Sequence, residues 1–421
     1  MKEKLAILKK YNFWDKDFPD LGFPRDIYTD KIFEFVGNRL VKVLVGQRRV
    51  GKSYIMRQIM YGLVERGIDS QNILYINKEF NDFDFIKDYN DLDALVKYYR
   101  EVLGPEGKVW LFVDEIQNIE GWEQLINSYS QDYVDSYEVF ISGSNSKMLS
   151  GELATLLSGR YIEFQIFPFS FKEYVGITKK EVSKQSYIDY MESGGMPELF
   201  VLPNKETKRN YISAIKDTVL LRDIIQRHNI KDAKLLEDLF VFLVNNASNL
   251  ISIINIVNYF KDKGRSTTYD TISNYIGYIE DSFIVHKIER YDIRGKDTIS
   301  GISKYYINDL SFKNYLYPGF GYGMGYKLEN LIYLELRRAG FEVYVGVFRD
   351  KEVDFVAKKE DRVVYIQSAY MLADERTIQR EYSPLESIKD NYEKIVVSLD
   401  DITFPSNKGI KHIQAWNLSL Q

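Results

Sequence analysis

The chain contains no cysteine in its 421 residues. That absence removes disulfides, thiolate metal sites and a cysteine nucleophile together. Positive charge is not in surplus either. The formal net charge is −5, so no global basic field is available to hold nucleic acid, and any such contact needs a local patch. No apolar run reaches the roughly eighteen residues of a membrane-spanning helix. The stretch Met1–Lys10 offers only Leu5–Leu8 between lysines, too little for the core of a signal peptide. A soluble cytoplasmic protein with no membrane contact is therefore the expectation. Hydrophobic residues make up 45% of the chain, enough for large buried cores, and the length allows roughly two or three domains. The 33 Tyr and 25 Phe read as packing rather than chemistry.

The chain is organised around Gly46-Gln47-Arg48-Arg49-Val50-Gly51-Lys52-Ser53, which has the spacing of a triphosphate-binding loop. The run Leu40–Val45 before it reads as a buried strand. After it, Ile55, Met56, Ile59, Met60, Leu63 and Val64 recur at helical spacing from Tyr54 to Arg66. Gly46 and Gly51 permit the tight wrap that turns backbone N–H groups toward phosphate oxygens. The helix start adds its positive dipole end. The expected ATP ligands are residues 46–54, ending at Tyr54, with Lys52 on the β- and γ-phosphates and Ser53 on Mg²⁺.

Asn72–Asn77 reads as a second strand, followed by an acidic loop and short helix over Glu79–Asp93. Val109-Trp-Leu-Phe-Val-Asp-Glu115 is a buried parallel strand that delivers two acids at its C-terminal tip. Asp114 is the candidate Mg²⁺ partner and Glu115 the candidate base that polarises water. The strand Glu138–Ser142 ends at Gly143-Ser144-Asn145. A small polar residue there is expected near the γ-phosphate, Asn145 in preference to Ser144, with Ser142 a third option. Arg160, before the strand-like Tyr161–Ile166, is a candidate γ-phosphate contact within the subunit or across to a neighbour. Arg25 and Tyr28 lie where an adenine contact is conceivable, although surface packing is the preferred reading.

The loop, the Asp-Glu strand, the Ser-Gly-Ser-Asn tip, the stretch Leu156–Tyr174 and Gly194-Gly-Met-Pro-Glu198 together resemble prokaryotic AAA-type P-loop ATPases that carry a C-terminal domain of unknown function. The resemblance covers nearly the whole chain. It implies an α/β fold with a parallel five-stranded P-loop core (1–170). A helical lid or linker (171–234), a winged-helix module (235–310) and a C-terminal α/β restriction-endonuclease-like domain (311–421) come after it. Arg222 or Arg227 would be a sensing arginine on the lid.

The later residues temper these implications. The expected recognition helix, Thr268–Phe283, holds no Lys or Arg, and the basic residues gather in the wing at Lys287, Arg290, Arg294 and Lys296. Base and phosphate contacts need more positive charge, so protein packing is the preferred role of this module. His286 is read as a hydrogen-bonded structural residue and His412 as unremarkable. The glycine-rich Gly319–Gly325 reads as a loop. In the last third, a helix with Glu329 and strands with Asp354 fit the acids of a Mg²⁺-dependent nuclease. Gln367 and Ala369 stand where its second acid and lysine belong, so a nuclease-like fold without cleavage is expected.

Three functions are compatible with these residues: an Mg-ATPase acting as a conformational switch, an ATP-dependent scaffold without turnover, or an ATP-gated DNA-binding protein. Partners would be ATP, a protein or further copies of the chain, and, on weaker grounds, DNA.

Overall fold

The computed structural model describes residues 2–14, 18–145, 157, 159–319 and 323–420. Leu156 and Ser158 of the family-like stretch, and part of the glycine-rich loop near residue 320, lie outside the described residues. The chain divides into two compact units, Met1–Ile166 and Phe167–Gln421.

The first unit is built on β1 (Val41–Val45), β2 (Ile73–Asn77), β3 (Val109–Asp114), β4 (Tyr137–Gly143) and β5 (Tyr161–Gln165). They form one sheet in the order β2-β3-β4-β1-β5, and every neighbouring pair is parallel. Strands β1 to β4 are buried along their whole length, as a sheet covered on both faces requires. Helices α1 (Lys2–Tyr11), α2 (Asp26–Phe33), α3 (Lys52–Glu65), α4 (Tyr89–Leu103) and α5 (Trp122–Gln131) complete this unit among the described residues.

Local signals explain the boundaries. The Asp88 side chain accepts from the Asn90 and Asp91 amides, and Gly104 closes α4 in the left-handed region. Leu92, Leu95, Val96 and Tyr99 bury one stripe of that helix. Where the sequence predicts a loop and short helix over 79–93, there is a 3₁₀ turn at Asn81–Phe83, and the fifteen-residue α4 then begins at Tyr89. One charge sits inside the first strand. Lys42 is fully buried and paired at 2.6 Å with the equally buried Glu138.

The second unit opens with helices α6 (Phe171–Thr178), α7 (Lys184–Ser193) and α8 (Lys205–Thr218). The Ser170–Glu173 capping box starts α6, and α8 runs into a π-helical turn, Val219–Gln226. Next come α9 (Ala233–Asn245), β6 (Leu250–Ser252), α10 (Ile253–Asp262), α11 (Tyr269–Asp281), β7 (Val285–Asp292) and β8 (Asp297–Ile307). A second π turn, Phe312–Leu316, leads to α12 (Met324–Arg338). The chain finishes with β9 (Glu342–Phe348), β10 (Lys351–Lys359), β11 (Arg362–Ala369), α13 (Glu375–Ser387), β12 (Glu393–Ser398) and β13 (Ile410–Gln414).

The hairpin β7–β8 is continuous with the C-terminal strands. β7 pairs in parallel with β9, giving one eight-stranded sheet in the order β13-β12-β11-β10-β9-β7-β8-β6. Segments 235–310 and 311–421, expected as separate modules, thus share a sheet within one unit. Its C-terminal half packs α13, through Tyr382 and Leu385, and the following Ile388 onto Val356, Tyr365 and Val396.

Two histidines are structural. His286 faces Asn308 Oδ1 at 3.1 Å, and burial pushes its pKa down to about 4. His412 is more engaged than expected. Its Nδ1 accepts from the Phe404 amide, so its Nε2 carries the proton toward Ser398 Oγ, which in turn donates to Asp400.

Candidate active site

The strand order puts the C-terminal tips of β1, β3 and β4 side by side, and the glycine-rich loop leaves the tip of β1. Three of its residues take positive φ: Gly46 at 149°, Arg49 at 67° and Gly51 at 100°. A side chain at Gly46 would run into the carbonyl oxygen of Ile166, so glycine is required there on steric as well as dihedral grounds. Arg49 adopts the left-handed region without glycine's freedom, a local strain of the kind that collects at functional sites. Arg48 is half-buried and pairs with Glu79 at 2.6 Å. Gln47 and Val50 are buried. Tyr54 is 42% exposed and lies against Gly22.

Lys52 begins α3 and is buried. Its ammonium donates to the Gly46 and Gln47 carbonyls at 3.0 and 3.3 Å and lies 3.5 Å from Glu115 Oε1. Asp114 is wholly buried, with both oxygens engaged. Ser142 Oγ donates to Oδ1, while Tyr75 Oη and Asn77 Nδ2 donate to Oδ2 at 3.0 Å. Ser53 also hydrogen-bonds this carboxylate. Burial and the neighbouring Glu115 raise the Asp114 pKa, against the opposing pull of Ser142, Ser53 and Lys52. Glu115 turns out of the strand with φ 55°, and its amide donates to Ser142 Oγ at 3.0 Å. Burial pushes the Glu115 carboxyl up, but Lys52, Arg48, Gln117 and Ser144 outweigh it and hold the group below the usual glutamate range. Ser144 Oγ donates to its Oε2 at 3.1 Å.

Lys52, Ser53, Asp114 and Glu115 thus meet at one sheet edge. Of the three small polar residues at the β4 tip, Ser142 and Ser144 touch the carboxylates, while Asn145, the preferred candidate, comes just after them and is 3% exposed. Arg160 stands elsewhere. It is exposed and immediately precedes β5, whose first residue pairs with Val41 at the start of β1. With Arg39, Leu40, Ser130 and Gln131 it lines a cleft of about 380 Å³. A five-residue strand separates that end from the loop, roughly 16 Å at about 3.3 Å per residue. The within-subunit contact expected of Arg160 is therefore corrected.

Arg25 also departs from expectation. It is buried, not a surface group, and its Nη1 donates to the Val50 carbonyl in the loop at 2.9 Å. Gln58 of α3 fixes the approach by accepting from the Arg25 amide and donating to the Leu21 and Phe23 carbonyls. Tyr28 lies beneath the guanidinium at 4.8 Å. Tyr75, Asn77 and Gln117 were missed by sequence reasoning. The one signal for Asn77 is its place as the polar residue that ends an apolar strand; its register opposite Asp114 is seen only in the sheet, and Gln117 carries no signal.

In the second unit the candidate nuclease acids gather around a lysine that sequence reasoning also missed. Lys304 of β8 lies 2.8 Å from Glu329 Oε1, 2.8 Å from Glu352 Oε1 and 3.7 Å from Asp354 Oδ1. Tyr306 donates to the same Glu329 oxygen at 2.6 Å. Asp354 accepts from the amide and hydroxyl of Ser368, and Gln367 bridges the Asp354 amide to Glu381. Among the described residues no three acids or histidines are arranged to share a metal ion. Arg222 and Arg227 are exposed, on and just after the first π turn.

Sequence comparison agrees with this geometry. Residues 38–175 match a family described as an AAA domain, and residues 184–321 match a domain of unknown function, DUF8612. The chain belongs to the prokaryotic AAA-type P-loop ATPases that carry a C-terminal domain of unknown function. An uncharacterized protein of Haemophilus influenzae is 35% identical over 380 residues, covering 89% of this chain and 92% of its own. One from Methanocaldococcus jannaschii is 30% identical over 391 residues, covering 86% and 83%. The solved Walker-type ATPase of Pyrococcus abyssi is similar at 16% identity over 70% of this chain and 95% of that one, with a TM-score of 0.42, and adds no weight to the assignment. No helix among the described residues is long and apolar enough to cross a membrane.

Proposed function

We propose that the first unit binds Mg-ATP and hydrolyses it, and that the cycle works as a conformational switch read out through the second unit. The observation that carries this is the meeting of a loop with three positive-φ residues, one buried lysine and two buried carboxylates at the tips of parallel strands. The donor set fits a nucleotide. The loop amides and Lys52 supply positive potential for the phosphates. Ser53 and Asp114 supply oxygens for Mg²⁺, which would neutralise phosphate charge when bound. Tyr75, Asn77 and Ser142 keep Asp114 in one rotamer.

Glu115 is the candidate base, ionised under the influence of Lys52 and Arg48. Ser144 and Gln117 hold its Oε2, and Asn145 lies beside them as a further candidate for orienting water. Arg160 serves a neighbouring subunit in this reading, while Arg222 and Arg227 remain candidate sensors. The helix–strand–helix–helix–hairpin order from α9 to β8 supports a winged helix used for protein packing. Lys304, placed among the acids of the nuclease-like part, supports a site that does not cleave.

Turnover assays test the proposal. The parent should release phosphate from ATP with Mg²⁺, Glu115→Gln should bind ATP with turnover reduced at least about a hundredfold, and Lys52→Ala should lose both. Activity rising with protein concentration would support a shared site at Arg160. One observation favours a second reading, a nucleotide-dependent scaffold. Lys52, Gln117 and Ser144 all engage Glu115, which suits binding without hydrolysis. Saturable ATP binding with no phosphate release by the parent would select it, and salt-sensitive DNA binding lost on neutralising Lys287, Arg290, Arg294 and Lys296 would select the DNA-gated alternative.

A further inference from the structure

Side chains, not a strand, close one edge of the first sheet. β2 ends the order β2-β3-β4-β1-β5, yet it is buried along its whole length. The N–H and C=O groups on its outer side therefore need partners. The residues that follow α1 supply them. Asn12 is 2% exposed and lies against Tyr75. Its Oδ1 accepts from the Tyr75 amide at 2.6 Å, and its Nδ2 donates to the Tyr75 carbonyl at 3.0 Å. One carboxamide thus does for Tyr75 what a residue of a neighbouring strand would do. Further along the same edge, Trp14 Nε1 donates to the Ile73 carbonyl at 2.7 Å. The arm is anchored on both sides of these contacts. Tyr11 stacks on Phe80 with ring centroids 4.6 Å apart, Trp14 stacks on Tyr99 at 5.5 Å, and Lys10 and Tyr11 both donate to Asp82.

The residue held by the arm also faces the candidate ATP site. Tyr75 Oη donates to Asp114 Oδ2 and accepts from Asn77 Nδ2, each at 3.0 Å. Asn77 Nδ2 reaches the same Asp114 oxygen at 3.0 Å. Asn77 Oδ1 accepts from the Glu79 amide, and Glu79 pairs with Arg48 of the glycine-rich loop. Tyr75 is thus gripped by its main chain from one side and grips Asp114 with its hydroxyl on the other. A small shift of β2 would take two donors off that carboxylate. Partners of this kind orient a metal-binding carboxylate, and losing one typically weakens the metal by about ten- to a hundredfold.

We propose that the N-terminal arm positions the magnesium side of the ATP site: Asn12 and Trp14 fix β2 as a neighbouring strand would, and β2 fixes Asp114 through Tyr75 and Asn77. The proposal rests on the reading of Asp114 as the Mg²⁺ partner.

Binding to the full-length chain tests it. Calorimetry measures the affinity for adenylyl imidodiphosphate, a non-hydrolysable ATP analogue, in Mg²⁺ and in EDTA, and the ratio is the gain due to magnesium. Asn12→Ala should cut that gain about tenfold and leave the affinity in EDTA nearly unchanged. Tyr75→Phe, which keeps the ring, should do the same. The double variant should lose no more than Tyr75→Phe alone, because the two residues act in series. Trp14→Phe removes only the donor to Ile73 and should lower the gain about threefold, so it carries the test if Asn12→Ala does not fold. A folded Asn12→Ala, or failing that Trp14→Phe, with a lower melting temperature but an unchanged gain would make the arm a cover for the sheet edge alone and overturn the proposal. Additive losses in the double variant would overturn it too. A parent that shows no binding, or no gain from Mg²⁺, would overturn the ATP reading itself and this proposal with it.

Discussion

Replacing Lys304 by methionine removes the cation that holds three carboxylates together. Glu329 and Asp354 are 7% and 8% exposed, and Lys304 is 4% exposed. Burial opposes the charge on Lys304, yet Glu329, Asp354 and Glu352 outweigh it and raise its pKa above the ordinary lysine value. Deleting one partner of such a buried group costs about 3–5 kcal/mol, because the remaining charges stay buried without compensation. At about 2–4 °C per kcal/mol for a unit of this size, the melting temperature of the second unit should fall by roughly 6–20 °C.

The pH dependence gives an independent check. Burial, then Asp354, raise the Glu329 pKa to about 7 against the pull of Lys304. A carboxyl raised in the folded state contributes stability at low pH that is lost as pH rises from the unfolded value through about 7. Without Lys304 that loss deepens, so the deficit of Lys304→Met should be larger at pH 8.5 than at pH 5.5. Circular dichroism melts of parent and variant at the two pH values measure it. A deficit below about 1 kcal/mol, or one that shrinks at high pH, would refute the account of Lys304 as an internal counter-ion.

Two further outcomes concern the first unit. Arg25→Met loses the hydrogen bond from a charged group to Val50 O, about 1.5–3 kcal/mol. If that bond positions the phosphate loop, KM for ATP should rise by about ten- to a hundredfold while kcat changes less; an equal fall in kcat at constant KM would argue against positioning. Glu138→Ala removes the carboxylate paired with Lys42 and leaves the fully buried ammonium at the start of β1 facing the neutral oxygens of Asn38. Chemical denaturation should show a loss of about 3–5 kcal/mol, partly recovered at high pH where Lys42, its pKa already lowered by burial against the pull of Glu138, sheds its proton. A loss unchanged between pH 7 and pH 10 would refute it.

Much of the first unit was legible because its signals are local. A buried parallel strand must be apolar throughout, so β1, β3 and β4 announce themselves, and the loop between β1 and α3 needs its glycines wherever it occurs. Legibility fell where the local pattern is weak. Helix α13 contains Pro384 and mostly polar residues, and β13 is five residues long after a loop.

By itself the sequence determined the residue types of the loop, the acids at the strand tip and the family, since these depend on order along the chain. Only the tertiary structure decided which end of the sheet Arg160 occupies, that Arg25 reaches a loop carbonyl 25 residues away, and that Lys304 stands among acids contributed by α12 and β10. The physical reason is that side-chain partners separated in sequence are chosen by strand order and register. Those are set by how whole hydrophobic faces close on one another, not by any neighbour in the chain.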